Sequence, residues 1–167
     1  LAHLAAMWVR DPLFRIPVVD AWFHAHQAQA IIDRGWLIAG SGAYYKGPLY
    51  SYVLAILISF LGSEIGVIAA RVLSIALGCA SVYFVARIAE RVGGRPAAWI
   101  AGFAAAVYGT LIYFDITLLL VPLVTLLLLA AADRLLMALE QQQPQRLLVT
   151  AGALLGLVTI TRANGLL

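Results

Sequence analysis

Charge is what this sequence has least of. Only 11% of its residues are Asp, Glu, Lys or Arg, against about 25% in ordinary domains, while the apolar share is 63% against about 45–50%. A water-facing shell around 167 residues needs far more polar side chains than these, which argues against a soluble globule. Lysine occurs once, as Lys46. The 11 basic residues and net charge of +3 are too sparse and too scattered for a nucleic-acid surface, so no nucleic-acid partner is expected. Cysteine also occurs once, as Cys79, which excludes an internal disulfide framework. Cys79 lies in a small-residue apolar run from Ser74 to Ser81 and reads as a packing thiol. There is no internal repeat, no nucleotide-type glycine motif, and no charged start of the kind a signal peptide needs. The chain opens on Leu1 and stops inside an apolar run at Leu167, the pattern of a fragment with at least one helix before it and a longer part after it.

What is abundant is uninterrupted apolar sequence. From Ala97 to Ala132 there is one charged residue, Asp115. A membrane-spanning helix takes about 20 residues, so this run is expected to hold two spans folded back at Asp115. The predicted spans are residues 65–86, 97–114, 116–132 and 147–167, forming an all-α, polytopic transmembrane helical bundle. Two short polar connections separate them. Arg87 to Arg95 holds three arginines, a Gly93-Gly94 stop and then Pro96 to start the next helix. Asp133 to Arg146 carries Gln141-Gln142-Gln143-Pro144. Arginine in both connections, and none at the Asp115 turn, puts the connections in the cytoplasm and Asp115 outside by the positive-inside rule.

Residues 1–64 differ in kind. Arg10 to Pro48 mixes polar and apolar residues, holds Trp22, Trp36, Tyr44 and Tyr45, and contains no spanning run. It is expected to be an extracytoplasmic loop at headgroup level, carrying short interfacial helices. Asp20 to Asp33 reads as one such helix. Leu49 to Leu61 reads as another, interfacial or re-entrant, because its length of about 13 residues falls short of the 20 a span needs.

Ionisable groups near a bilayer are costly, which makes the few present here candidates for function. Asp20, in VVDAWFH, is either a helix N-cap or a reactive carboxylate. Asp115, in YFDITLLL, is a turn cap or a second such group. Lys46, in YYKGPLY, is a snorkelling lysine or an anion ligand. Arg71 lies one to two turns inside its span and needs an anionic partner, for which Glu64 or a carbonyl is the structural account. His24 and His26, with Asp20 one turn before His24, leave room for a divalent metal but have no visible fourth ligand, so no metal residue is assigned. His3 carries no role.

Taken in order, these segments resemble a known family. The succession PVVDAWFHAHQAQAII, YYKGPLYSYVLA, FLGSEIGVIAARVLS, YFVARIAERVGG, YFDITLLL and GLVTITRANGLL is similar to membrane glycosyltransferases of the GT-C fold. The branch is the protein O-mannosyltransferase and lipid A aminoarabinose transferase superfamily, glycosyltransferase family 39. The resemblance covers nearly the whole chain, through motifs that are individually degenerate. It implies inverting transfer of a sugar from a polyprenyl-phosphate donor to a lipid, glycan or protein acceptor. It also implies an integral protein of a bacterial inner membrane with its site on the periplasmic face. Asp20 matches the acidic residue of the first outer loop and is expected to be the general base. Asp115 matches the acidic position of the second outer loop, and Lys46 the basic position before the proline. Lys46 and Arg71 would face the donor phosphate, where charge develops. Two departures stand out. Ala21 occupies a position often acidic in the family, and Asp115 one often Glu, which leaves metal use and acceptor type open. A helical transporter and a non-catalytic membrane subunit are the competing classes. The first would show paired broken helices, and the second gives no reason for charge gathered on the outer side.

Overall fold

Proline and glycine set the helix boundaries. The computed structural model describes Ala2, Ala6, Val9 and residues 20–36, 47–141 and 144–162. Six helices and no strand occur among the described residues: α1 (Asp20–Arg34), α2 (Leu49–Leu61), α3 (Ser63–Val107), α4 (Gly109–Ile116), α5 (Val121–Glu140) and α6 (Gln145–Thr161). Pro48 and Pro144 cap the starts of α2 and α6, and Pro122 lies in the first turn of α5, where a missing N–H leaves no helical bond unmade. Gly62 turns the chain from α2 into α3 at φ +82°, a left-handed conformation that glycine takes without strain.

The helix α3 is a hairpin rather than a rod. Gly94 sits inside it at φ +74°, followed by Pro96, so the hydrogen-bond ladder reverses direction there. Ala86 and Gly102, equidistant in sequence from Gly94, touch: a Cβ at Gly102 would lie 3.2 Å from that of Ala86. The Gly-Gly stop and proline start expected between Arg87 and Pro96 therefore make a tight helical turn. Its two limbs run antiparallel, with α4 continuing the second limb beyond a break at Tyr108.

A second, shorter hairpin forms about Gly62. Ile58 of α2 meets Gly66 of α3, where an added Cβ would come within 2.8 Å of the Ile58 Cα. Further along, Tyr50 lies beside Arg71 and Ser74. Thus α2 runs back along the first turns of α3, and α1 packs across it. Their core joins Ala28 and Ile31 of α1, Tyr50, Leu54 and Ala55 of α2, Ala70 of α3, and Leu118 from the link before α5. The helices α5 and α6 pair through Val124, Leu127 and Val158.

Two helices, α3 and α5, are long and apolar enough to cross a membrane. Large apolar side chains stand outward on several helices: Trp99 is 80% exposed, Phe103 71% and Val149 72%. The expected segment boundaries shift in two places. The turn foreseen at Asp115 lies instead at residues 117–120. The reason is local: Thr117 caps α4, its N–H bonding Tyr113 O at 3.2 Å and its hydroxyl donating to Phe114 O at 3.0 Å. Asp133, foreseen as the start of a polar connection, is inside α5, which continues to Glu140.

Candidate functional site

Asp115 lies in the last turn of α4 and faces the first limb of α3. Gly78 has no room for a Cβ because the Asp115 carboxylate occupies that space. The carboxylate forms part of the wall of a cavity of about 400 Å³ between α3, α4 and α5. Ile75, Val82, Ile112 and Val121 make much of that wall apolar, with Cys79 and Thr125 also contributing. Asp115 makes no ion pair with any described residue. A half-buried carboxylate against a glycine backbone and an apolar chamber is able to accept a hydrogen bond from a hydroxyl brought into that chamber.

Several contacts gather at the same level of the bundle. Gly47 has no space for a side chain because the carbonyl of Thr161, at the end of α6, lies against it. Gly47 is three residues before Tyr50, and Gly78 is one turn after Ser74. Because α2 and α3 run antiparallel, the Gly47–Thr161 and Gly78–Asp115 contacts fall at similar depth. Lys46 lies outside the described residues.

Arg71 is nearly buried, at 3% exposure, beside Tyr50. Burial pushes the Tyr50 phenol up to about 12, so it stays neutral at any physiological pH.

Asp20 is the first residue of α1 and exposed, in the first turn where a carboxylate is favoured by the helix dipole. Its neighbour Ala21 belongs to the core that also holds Ala70 and Leu118. Asp20, Arg71 and Asp115 are therefore each within three residues of one packed cluster.

His24 is fully buried and works between helices. Its Nδ1 is 3.0 Å from Ser51 Oγ, and the Ser51 hydroxyl donates to Gln27 Oε1 at 3.0 Å, so Nδ1–H is the donor to Ser51. The Tyr50 ring meets it edge-on at 5.1 Å. His26 instead stacks on Trp22, at 5.0 Å. The two histidines serve different surfaces. Among the described residues no three His, Cys, Asp or Glu side chains gather as metal ligands. The His24–Ser51–Gln27 chain went unread in the sequence, where Ser51 looks like any polar residue of an apolar helix.

Asp133 went unread as well. It is fully buried and holds Arg91 at 3.2 Å, Arg87 at 3.4 Å and Arg134 at 4.0 Å, while Arg91 also reaches Glu140 at 2.7 Å. The two arginine-bearing segments thus meet at one end of the bundle. The available signal was the one-turn spacing of Arg87 and Arg91, which presents two cations to a single partner.

No significant match links this chain to a protein-family model, a curated protein or a solved structure.

Proposed function

We propose that this chain belongs to a polytopic membrane glycosyltransferase that moves a sugar from a polyprenyl-phosphate donor to a lipid, glycan or protein acceptor at the outer face. The observation that supports it most is Asp115, held against Gly78 on the wall of a mainly apolar chamber. Asp20, the other carboxylate of the reading, is exposed at the start of α1. The membrane part rests on the apolar helices: only 33% of the spanning window of α3 and 39% of that of α5 is buried by the protein itself. A soluble core helix would be mostly covered, whereas these present apolar side chains outward, as lipid contact requires.

The chemistry follows from the groups available. An acceptor hydroxyl is a weak nucleophile at neutral pH, and Asp20, exposed at the start of α1, takes its proton as the glycosidic bond forms. Asp115 orients the acceptor or the sugar by accepting hydrogen bonds. The leaving lipid phosphate gains charge, which Lys46 and Arg71 offset. With the arginine end inside, the Asp115 level faces outward, in keeping with a periplasmic site in a bacterial inner membrane.

Two experiments test this reading. The full chain reconstituted with a radiolabelled polyprenyl-phosphate sugar is expected to pass label to a membrane acceptor, and absence of transfer with every such donor counts against the activity. In a Cys79→Ser background, Val92→Cys is expected to be labelled only after the membrane is opened, and Arg34→Cys from outside. Labelling of Val92→Cys in intact cells would reverse the orientation and separate the proposed site from its substrate.

A further inference from the structure

The hairpin of α3 carries a second cleft, which runs from the Gly94 turn to Val82 and Ala106, residues that also line the Asp115 chamber. It measures about 480 Å³ and lies between the two limbs, over Ala86, Ala98 and Gly102. Tyr83 stands on one side, Trp99 and Phe103 on the other, and Glu90 and Arg95 flank its end at the Gly94 turn. Arg87 and Arg91, on the first limb, pair with Asp133, and Arg87 also donates to the Tyr83 hydroxyl at 3.2 Å. Glu90 and Arg95 make no ion pair with any described residue, although Glu90 is near Arg87. The cleft therefore has an apolar floor, aromatic walls and, at its polar end, a carboxylate and a guanidinium that are in no ion pair with a described residue.

We infer that this cleft binds a zwitterionic aminophospholipid of the cytoplasmic leaflet, its phosphate at Arg95, its ammonium at Glu90 and an acyl chain along Ala98 and Gly102. Charge complementarity selects this occupant. An anionic lipid would satisfy Arg95 but set its charge beside Glu90, and a soluble zwitterion would leave the apolar floor unfilled. Trp99, with its ring beside the charged end, suits the headgroup boundary. The inference rests on the membrane reading and its orientation but not on glycosyl transfer.

The test is lipid retention by the full chain in detergent, read by native mass spectrometry with phosphatidylethanolamine and phosphatidylglycerol in competition. The wild type is expected to retain the ethanolamine lipid preferentially. Glu90→Gln should lower that retention about tenfold, the worth of one charge-assisted contact, while sparing phosphatidylglycerol. Arg95→Gln should weaken both lipids, and Ala98→Leu should obstruct the cleft for both. If Ala98→Leu does not fold, Trp99→Ala, at an exposed position, serves in its place. Equal retention of the two lipids by the wild type, or indifference to Glu90→Gln, overturns the proposal. If the membrane reading itself fails, neither lipid is retained and the Val92→Cys and Arg34→Cys probes show no sidedness.

Discussion

Two regions of this helical bundle handle charge in opposite ways. At the Gly94 end, Asp133 is fully buried yet surrounded by Arg87, Arg91 and Arg134, and Glu140 closes the group. Midway along the first limb of α3, Asp115 lies against a glycine and an apolar chamber with no cation paired to it among the described residues, and Asp20 stands exposed at the start of α1. Opposite charges that meet across helices fix how those helices sit. A carboxylate left beside a cavity keeps its hydrogen-bonding capacity for something that enters. The first arrangement is structural and the second is where chemistry is expected.

That contrast breaks most sharply at Asp133. Asp133→Ala leaves two or three arginines facing one another without their anion, and should cost about 3–5 kcal/mol of stability. Thermal unfolding in detergent measures it, and a change under about 1 kcal/mol would mean the cluster is not holding α5 to α3.

Asp20→Asn should do the reverse. The side chain keeps its size, and loss of its charge at the helix start should cost only about 0.3–1 kcal/mol of stability. Turnover should fall by roughly 10²–10⁴, the usual worth of a positioned general base. Near-normal turnover in Asp20→Asn, with Asp115→Asn inactive, would exchange the roles of the two carboxylates.

Gly78→Ala sharpens the contrast from the packing side. Its methyl group collides with the Asp115 carboxylate, an overpacking expected to cost about 1–3 kcal/mol. In an Asp115→Ala background the penalty should largely vanish. A double-mutant cycle with no coupling between the two would place Asp115 elsewhere.

The smallest effect is expected at Glu140. Its side chain is 55% exposed, so its bond to Arg91 is a solvated rim contact. Glu140→Ala should cost about 0.2–1 kcal/mol and less at high salt. A loss comparable to that of Asp133→Ala would show that the network acts as one unit.

Much of the helical plan was legible in the chain itself, through residues with local effects. Gly93-Gly94-Arg95-Pro96 encodes a turn because glycine takes a positive φ freely and proline starts a helix without its N–H. The short reach of Leu49 to Leu61 was equally plain: it forms one 13-residue helix. The turn near Asp115 was misread by a few residues. Asp115 is the only charge in a long apolar run, whereas Thr117, with its cap on Phe114 and Tyr113, ends the helix. The same preference for charge as a boundary signal cut α5 short at Asp133.

The order of residues by itself determined that this chain is mostly apolar and helical, because hydropathy and helix punctuation act within a few residues of one another. Asp20, Asp115 and Arg71 could be singled out for the same reason, as rare charges among apolar neighbours. Only the tertiary structure decided what each charge meets. It set Asp115 on Gly78, Arg71 behind Tyr50, His24 on Ser51, and Asp133 among arginines more than forty positions back along the chain. Those partners are joined by helix packing, and neither hydropathy nor helix punctuation carries information over such a separation.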